Sequence, residues 1–308
     1  MIAIVVSRAD GASAHIGERL LEIGDWEARE DDALPDADGG GTYYRTEGFE
    51  LREFDELHIR LSDPTAAFDC DPEFLAFVSR HSGETGKLLT AHVTGNFGGA
   101  EYGGEPESLA RAAPGAEKRV VAALARHAPD GYEVGIECTH HGPTDVSVPS
   151  LFVELGSDEP QWEDPEAARA VARAVLDLRG TGADLPDGGG DPRHVVGFGG
   201  GHYAPRFTRI VRETEWAVGH VGADWALADL GAPDANRDVI EAAFERSRAD
   251  RAVIDGDRPE LAAVVEDLGH RVVSETWVRE VGDAPLPLVE HLEAEIGPVD
   301  EGLRFGAV

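Results

Sequence analysis

Tyr132-Glu-Val-Gly-Ile-Glu-Cys138, followed by Thr139-His140-His141-Gly142-Pro143-Thr144-Asp145, decides how this chain reads. The first seven residues carry the apolar and β-branched character of a buried strand, and they stop abruptly at a polar loop with Gly and Pro. Open α/β sheets present their chemistry in this way, at the carboxyl ends of strands. Neighbouring side chains on a strand point to opposite faces. If the pleat continues through the loop, one of His140 and His141 enters a cleft and the other turns towards a supporting partner. With Glu137 and Cys138 just before them, four side chains able to bind a metal or move a proton fall within five residues.

Outward from this stretch, short apolar runs alternate with helical patterns. Ile2–Val6, Tyr43–Arg45, Glu56–Leu61, Phe74–Val78, Lys87–Val93, Ser150–Leu155, His194–Phe198, Ala252–Ile254 and Arg271–Glu275 read as strands. Ser13–Ile23, Glu107–His127 (broken near Pro114), Asp234–Arg246 and Pro259–Leu268 read as helices. Another helix starts at Asp164-Pro165, with Asp as cap and Pro at the first helical position. The alternation predicts an α/β fold with a mixed, largely parallel sheet covered on both faces. We expect a single domain over 1–308, with acidic surface loops near 29–42 and 180–192.

The charge is unusual: 60 Asp and Glu against 27 Lys and Arg, a net charge of −33. Only Lys87 and Lys118 are lysines. Such a chain repels itself at low ionic strength; in about 1 M salt, where the Debye length is roughly 3 Å, the repulsion is screened. The acidity therefore reads as adaptation to a salty cytoplasm, and it does not exclude a nucleic-acid substrate. Cys70 and Cys138 are the two cysteines, which predicts a reducing cytoplasm and no disulfide framework. The first residues lack a basic leader, and no apolar run approaches the roughly 18 residues of a membrane span.

Several strand-to-loop junctions carry polar groups: Ser79–Ser82, His92–Asn96, Glu137–Asp145, Glu154–Glu159 and Gly199–Arg206. In an open α/β sheet such loops converge on one crevice. Taken alone, His92 in its apolar strand reads as a core residue, and His81 is ambiguous. The His140–His141 pair, and His202 after three glycines, read as functional. There is no HExxH, CxxC, Walker loop, dinucleotide fingerprint or Gly-x-Ser-x-Gly elbow, so NAD, ATP and serine-hydrolase chemistry are disfavoured.

Four stretches together carry a family resemblance: Ser79-Arg80-His81-Ser82 running to Leu89-Thr90-Ala91-His92-Val93-Thr94-Gly95-Asn96; Gly135–Pro143; Glu154-Leu155-Gly156-Ser157 with Gln161-Trp162; and Gly199-Gly200-Gly201-His202-Tyr203-Ala204-Pro205-Arg206-Phe207-Thr208. Jointly they resemble the archaeal-type D-aminoacyl-tRNA deacylases, from the first strand to about Trp277. The resemblance implies hydrolysis of the ester between a D-amino acid and the 3′-terminal ribose of tRNA. It also implies a zinc-associated enzyme, and a three-layer α/β/α domain related to the phosphorylase and peptidyl-tRNA-hydrolase folds.

On this reading His92, His140, His141, His202 and Glu154 are the metal-ligand candidates, some of the histidines being ligands and others proton carriers. Glu137 or Glu154 serves as ligand, general base or orienter of a histidine. Asn96, Thr139 and the amides of Gly199, Gly200 and Gly201 meet the oxyanion or the terminal adenosine. Ser79, His81 and Tyr203 belong to the substrate wall. Arg206 and Arg209 are the candidates for tRNA phosphate, with Arg169 and Arg173 on another helix face. In a rival form of the same reaction, His140 or His141 activates water without metal. A metal-dependent amidase or peptidase on small substrates, and a non-catalytic nucleotide-binding protein of phosphorylase-like fold, are the other classes. We expect a monomer or small homo-oligomer. The whole reading requires His92, His140, His141 and His202 to share one pocket.

Overall fold

The computed structural model describes residues 1–185 and 192–305. The chain opens with β1 (Ile2–Ser7), α1 (Gly11–Ile23), β2 (Glu27–Asp31), β3 (Gly41–Thr46), β4 (Phe49–Phe54), β5 (Phe74–Arg80) and β6 (Leu88–His92). A two-residue ladder, β7 (Gly95–Asn96) with β8 (Ser108–Leu109), precedes α2 (Pro114–His127), β9 (Glu133–Ile136) and β10 (Ser150–Gly156). Next come α3 (Glu159–Trp162), α4 (Pro165–Leu176), β11 (His194–Phe198), α5 (Pro205–Glu213), β12 (Ala217–Gly222) and α6 (Asp224–Leu230). The last elements are α7 (Arg237–Ser247), β13 (Arg251–Ile254), α8 (Pro259–Asp267), β14 (Arg271–Val273), α9 (Glu275–Val281) and α10 (Leu286–Glu295).

The fold is α/β, with a mixed, mostly parallel central sheet of order β2-β3-β4-β1-β5-β10-β6-β9. β4, β1, β5 and β10 run parallel, and β10 meets β6 antiparallel. A second sheet, β12-β11-β13-β14, is wholly parallel. The expected single sheet is thus two, and α2 packs against strands of both.

The pleat assigns the faces. Ile2, Ile4 and Val6 of β1, Leu151, Val153 and Leu155 of β10, and Leu89 and Ala91 of β6 join the core under α1, α2 and α4. Ala3, Val5, Phe77 and Phe152 face the other way, beneath the short 3₁₀ turns at His58–Arg60 and Pro64–Ala67. This second face lacks a long helix and is where polar side chains gather. The second sheet repeats the division: Val195, Val218 and Val253 join the main core, while Val196, Phe198 and Ala252 pack with α7 and α8.

Some segments differ from the sequence reading. Glu56–Leu61, expected as a strand, holds the 3₁₀ turn; the neighbouring strand is β4, whose apolar pattern is masked by Glu50 and Arg52. Arg52 is fully buried, bonded to Glu50 (2.8 Å) and Asp31 (2.7 Å), with its guanidinium 4.0 Å from the Tyr43 ring centre. The acidic loop at 29–42 is narrower than expected, because β2 and β3 pair across it. Tyr132–Cys138 forms only the short edge strand β9, more exposed than a buried strand would be. The acidic loop near 180–192 lies largely outside the described residues. Glu107–His127 resolves into β8 and then α2, which begins at Pro114.

The main core runs without a break from Ile2 to Val299 and takes in strands of both sheets. We infer that the chain is one folding unit. Calorimetry in molar salt is expected to show one cooperative transition with equal calorimetric and van't Hoff enthalpies; two resolved transitions would mean that the sheets unfold separately.

Candidate functional site

β10 and β6 lie side by side, with Phe152 opposite His92 and Glu154 opposite Thr90, while Glu154 faces Ser79 on β5. The pleat therefore sends His92, Thr90, Glu154 and Ser79 to the face without long helices. Glu137 follows β9 directly, and its carboxylate accepts a short hydrogen bond from the Thr90 hydroxyl. His81 follows β5, and His202 follows the glycine run after β11.

Beyond Ile136 the strand ends, so the alternation expected for His140 and His141 does not apply. Both rings fold inward, 4.4 Å apart, and each lies within 4.7 Å of His92. The Nδ1–H of each ring is committed to a backbone carbonyl: His92 to Val93 (3.1 Å), His140 to Cys138 (2.8 Å) and His141 to Gly142 (2.6 Å). Each Nε2 is left with a lone pair, and the three ligand atoms lie within 4.8 Å of one another. His92 Nε2 is buried without a hydrogen-bond partner. Glu154 Oε1 stands 3.5 Å from it and 3.9 Å from His141 Nε2. Acceptors facing acceptors repel unless a cation or proton lies between them.

Glu137 joins a second group. It meets His202 Nε2 at 2.7 Å, His81 Nδ1 at 3.1 Å and His140 Nε2 at 3.9 Å. His81 also reaches Glu154, at 3.6 Å, so it bridges the two buried carboxylates. Burial opposes charge on His81, but its bonds to Glu137 and Glu154 win and push it up to about 11. Burial raises both carboxylates, yet the histidines outweigh it and hold them well below the usual range. Burial and the neighbouring His141 and His92 push His140 well below its ordinary value. The arrangement can hold a cation between neutral imidazoles and a carboxylate, with a carboxylate–imidazole pair beside it to handle a proton.

His81, His140, His141, Glu154 and His202 line a cavity of about 650 Å³ together with Asp10, His58, Arg80, Tyr102 and Trp225, with His92 and Glu137 buried next to them. His92, His140, His141 and Glu154 thus come together, with Glu137, His202 and His81 adjoining. His202 clusters with Cys138 and His140, or with His81 and Glu137, and not with His92 and His141. Ser79 lines the cavity and bonds Asp10; the Tyr203 hydroxyl meets His81 Nε2 at 3.3 Å.

The family profile described as D-aminoacyl-tRNA deacylase matches residues 68–273, which contain every one of these groups except Asp10 and His58. A protein named D-aminoacyl-tRNA deacylase from Halorubrum lacusprofundi is 74% identical, over 100% of this chain and 68% of its own length. One of the same name from Haloarcula marismortui is 60% identical, over 100% of this chain and 69% of its own. The chain belongs to the D-aminoacyl-tRNA deacylase family. It is an enzyme of that type and spans about two-thirds of the length of these relatives. The crystal structure of a conserved protein of unknown function matches with a TM-score of 0.78 at 33% identity, covering 91% of this chain and 96% of that one.

Other residues singled out in the sequence lie around this cluster without lining the cavity. Asn96 donates to the carbonyls of Gly103 (2.9 Å) and Glu105 (3.1 Å), and so is spent on a turn. Thr139 is tied to β12, through Val221 and His220. The amide of Gly199 donates to Gly222, and a Cβ there would lie 2.1 Å from the Asp255 carbonyl. Gly199 and Gly200 have φ of +94° and +79°, so they are glycines for a tight turn against Asp255, and Gly201 completes that turn. Arg206 pairs with Asp255 and Glu275, and Arg209 with Glu275. Arg80, Tyr102 and Trp225 were missed as wall residues; only Arg80 stood inside a recognised motif.

Glu117, in the first turn of α2, is buried, and its Oε2 has no hydrogen-bond partner among the described residues. Burial pushes its pKa up from 4.5 to about 8, against the pull of His92. Folding tightens its hold on a proton, so stability falls as pH rises from 4.5 towards about 8. Glu117→Gln is expected to lessen the stability lost between about pH 5 and about pH 8, by a few kcal/mol in denaturant titrations at molar salt. Equal losses in variant and parent would show that Glu117 is not buried neutral.

Proposed function

We propose that this enzyme hydrolyses the ester joining a D-amino acid to the 3′-terminal ribose of tRNA, with D-tyrosyl-tRNA among its substrates, in the cytoplasm. Family membership supports the substrate class. The observation that carries the chemistry is the convergence of three imidazole ligand atoms within 4.8 Å of one another, with the Glu154 carboxylate 3.5 Å from His92 and 3.9 Å from His141, beside a cavity.

The donor set fits zinc: three imidazole nitrogens, an adjacent carboxylate, and an orphaned buried Nε2 on His92. His92, His140 and His141 would hold the ion, with Glu154 beside them. Zinc bound there supplies Lewis-acid charge that activates water near neutral pH and polarises an ester carbonyl. The backbone carbonyls of Val93, Cys138 and Gly142 fix the three ring tautomers. Glu137 orients His202, whose side chain is 30% exposed and so reaches the cavity, and this pair carries the proton between water and the leaving ribose hydroxyl. His81, bonded to both carboxylates and to Tyr203, keeps Glu137 and Glu154 from repelling each other. A second form of the reaction uses His140 Nε2 as the base without an ion; its surroundings keep the ring neutral and make it a weaker base than an ordinary imidazole.

Deacylation of D- and L-tyrosyl-tRNA at molar salt tests the reading. Release of D-tyrosine is expected to exceed that of L-tyrosine by orders of magnitude. Glu137→Gln, which keeps the shape and removes the charge that orients His202, is expected to lower kcat about 10²-fold or more with KM little changed. Equal turnover of both enantiomers, or an unaffected Glu137→Gln variant, would refute it.

A further inference from the structure

Among the described residues, three Tyr, Trp or Phe side chains are exposed: Tyr102 (56%), Trp225 (48%) and Tyr203 (37%). All three stand at the histidine cavity. Tyr102 and Trp225 line it, and Tyr203 packs on His81 and His202. Leaving large aromatic surfaces in water forgoes burial energy, and a cluster of them marks a recognition surface.

Their backbones are held in place. The Tyr102 carbonyl accepts from the Gly142 amide, and Asn96 clamps the following turn through Gly103 and Glu105. Gly142 is next to His141, so the loop carrying Tyr102 is tied to the histidine cluster itself. Trp225 sits in the first turn of α6, where the Asp224 amide donates to the Gly200 carbonyl and Asp224 pairs with Arg258 at 2.6 Å. The two rings are therefore presented at the cavity by pre-organised segments that also meet each other, the Gly99 amide donating to Asp229 of α6.

The charge distribution says what they grip. A protein of net charge −33 attracts no polyanion at long range, and molar salt screens what contacts remain. Arg206 and Arg209 are neutralised by Asp255 and Glu275, and among the described residues Arg80 is the one arginine lining the cavity. Stacking on an aromatic ring does not depend on counterion release, and every base offers a face for it.

We infer that Tyr102 and Trp225 form the clamp for the unpaired terminal adenine of the acylated tRNA, so that stacking, not phosphate attraction, seats the ester at the histidine cluster. This rests on the deacylase reading above and assigns the part of that substrate which the two rings bind.

The test uses the full chain in molar KCl, with D-tyrosyl-tRNA, D-alanyl-tRNA, and free adenosine as competitor. Trp225→Ala is expected to raise KM about 10-fold or more on both tRNAs, with kcat within about twofold of the parent. Adenosine should lose inhibitory strength by the same factor. Trp225→Phe should restore most of the affinity, and Tyr102→Ala should behave like Trp225→Ala. A KM increase confined to D-tyrosyl-tRNA would give the rings to the amino-acid side chain instead. A fall in kcat with KM unchanged would make them structural, and no change would leave no base contact; each of these overturns the clamp. A parent protein inert on both tRNAs would instead defeat the deacylase reading, and the clamp with it.

Discussion

Two carboxylates buried against each other cannot both stay charged unless positive charge is held between them, and Glu137 and Glu154 are such a pair. His81 answers that constraint by bridging the carboxylates, and His202 bonds Glu137, while His92 and His141 turn their remaining lone pairs towards Glu154 and His140 turns its own towards Glu137. His92, His140 and His141 are then fixed from behind by the backbone, and His81 by Tyr203. The cluster is only partly satisfied by the chain itself, as the orphaned Nε2 of His92 shows. A buried polar network left incomplete in this way is costly unless something completes it.

The scaffold explains how such a cluster survives inside an α/β fold. Long helices cover one face of the large sheet, and the pleat sends the polar partners of the apolar core residues to the other. Short turns, and loops tied to the second sheet, close that face without filling it. Thr139 joins β12 and the glycine run turns against Asp255, so the second sheet aims the histidine loops without touching what lies between them. The acidic surface fits the haloarchaeal origin of the relatives and plays no part in this geometry.

The legibility of the sequence followed burial. β1, β5, β10 and β11 were readable because a strand buried on both faces is a continuous apolar run. β4 was not, because its buried Glu50 and Arg52 look like surface charges until Asp31 and Tyr43 are seen beside them. At the site, His140, His141, His92 and His202 could be singled out, since histidines at strand ends carry chemistry on their face. The ligand grouping could not, because it depends on which ring nitrogen the backbone occupies. Nor could the bonds by which Asn96 and Thr139 fasten loops, or the turn that Gly199 makes against Asp255. Trp225 and Tyr102 stand in no periodic pattern, and only their exposure in the folded chain marks them.

The central claim is that the cluster of His92, His140, His141 and Glu154 is completed by a divalent cation on which hydrolysis depends. Metal content of protein purified without added metal, followed by deacylation of D-tyrosyl-tRNA after chelation and re-addition of zinc, tests it most directly. The account predicts about one equivalent of zinc per chain, little or none in a His92→Ala/His140→Ala variant that remains folded, and activity that leaves and returns with the ion. Full activity in protein shown to be free of metal would contradict it.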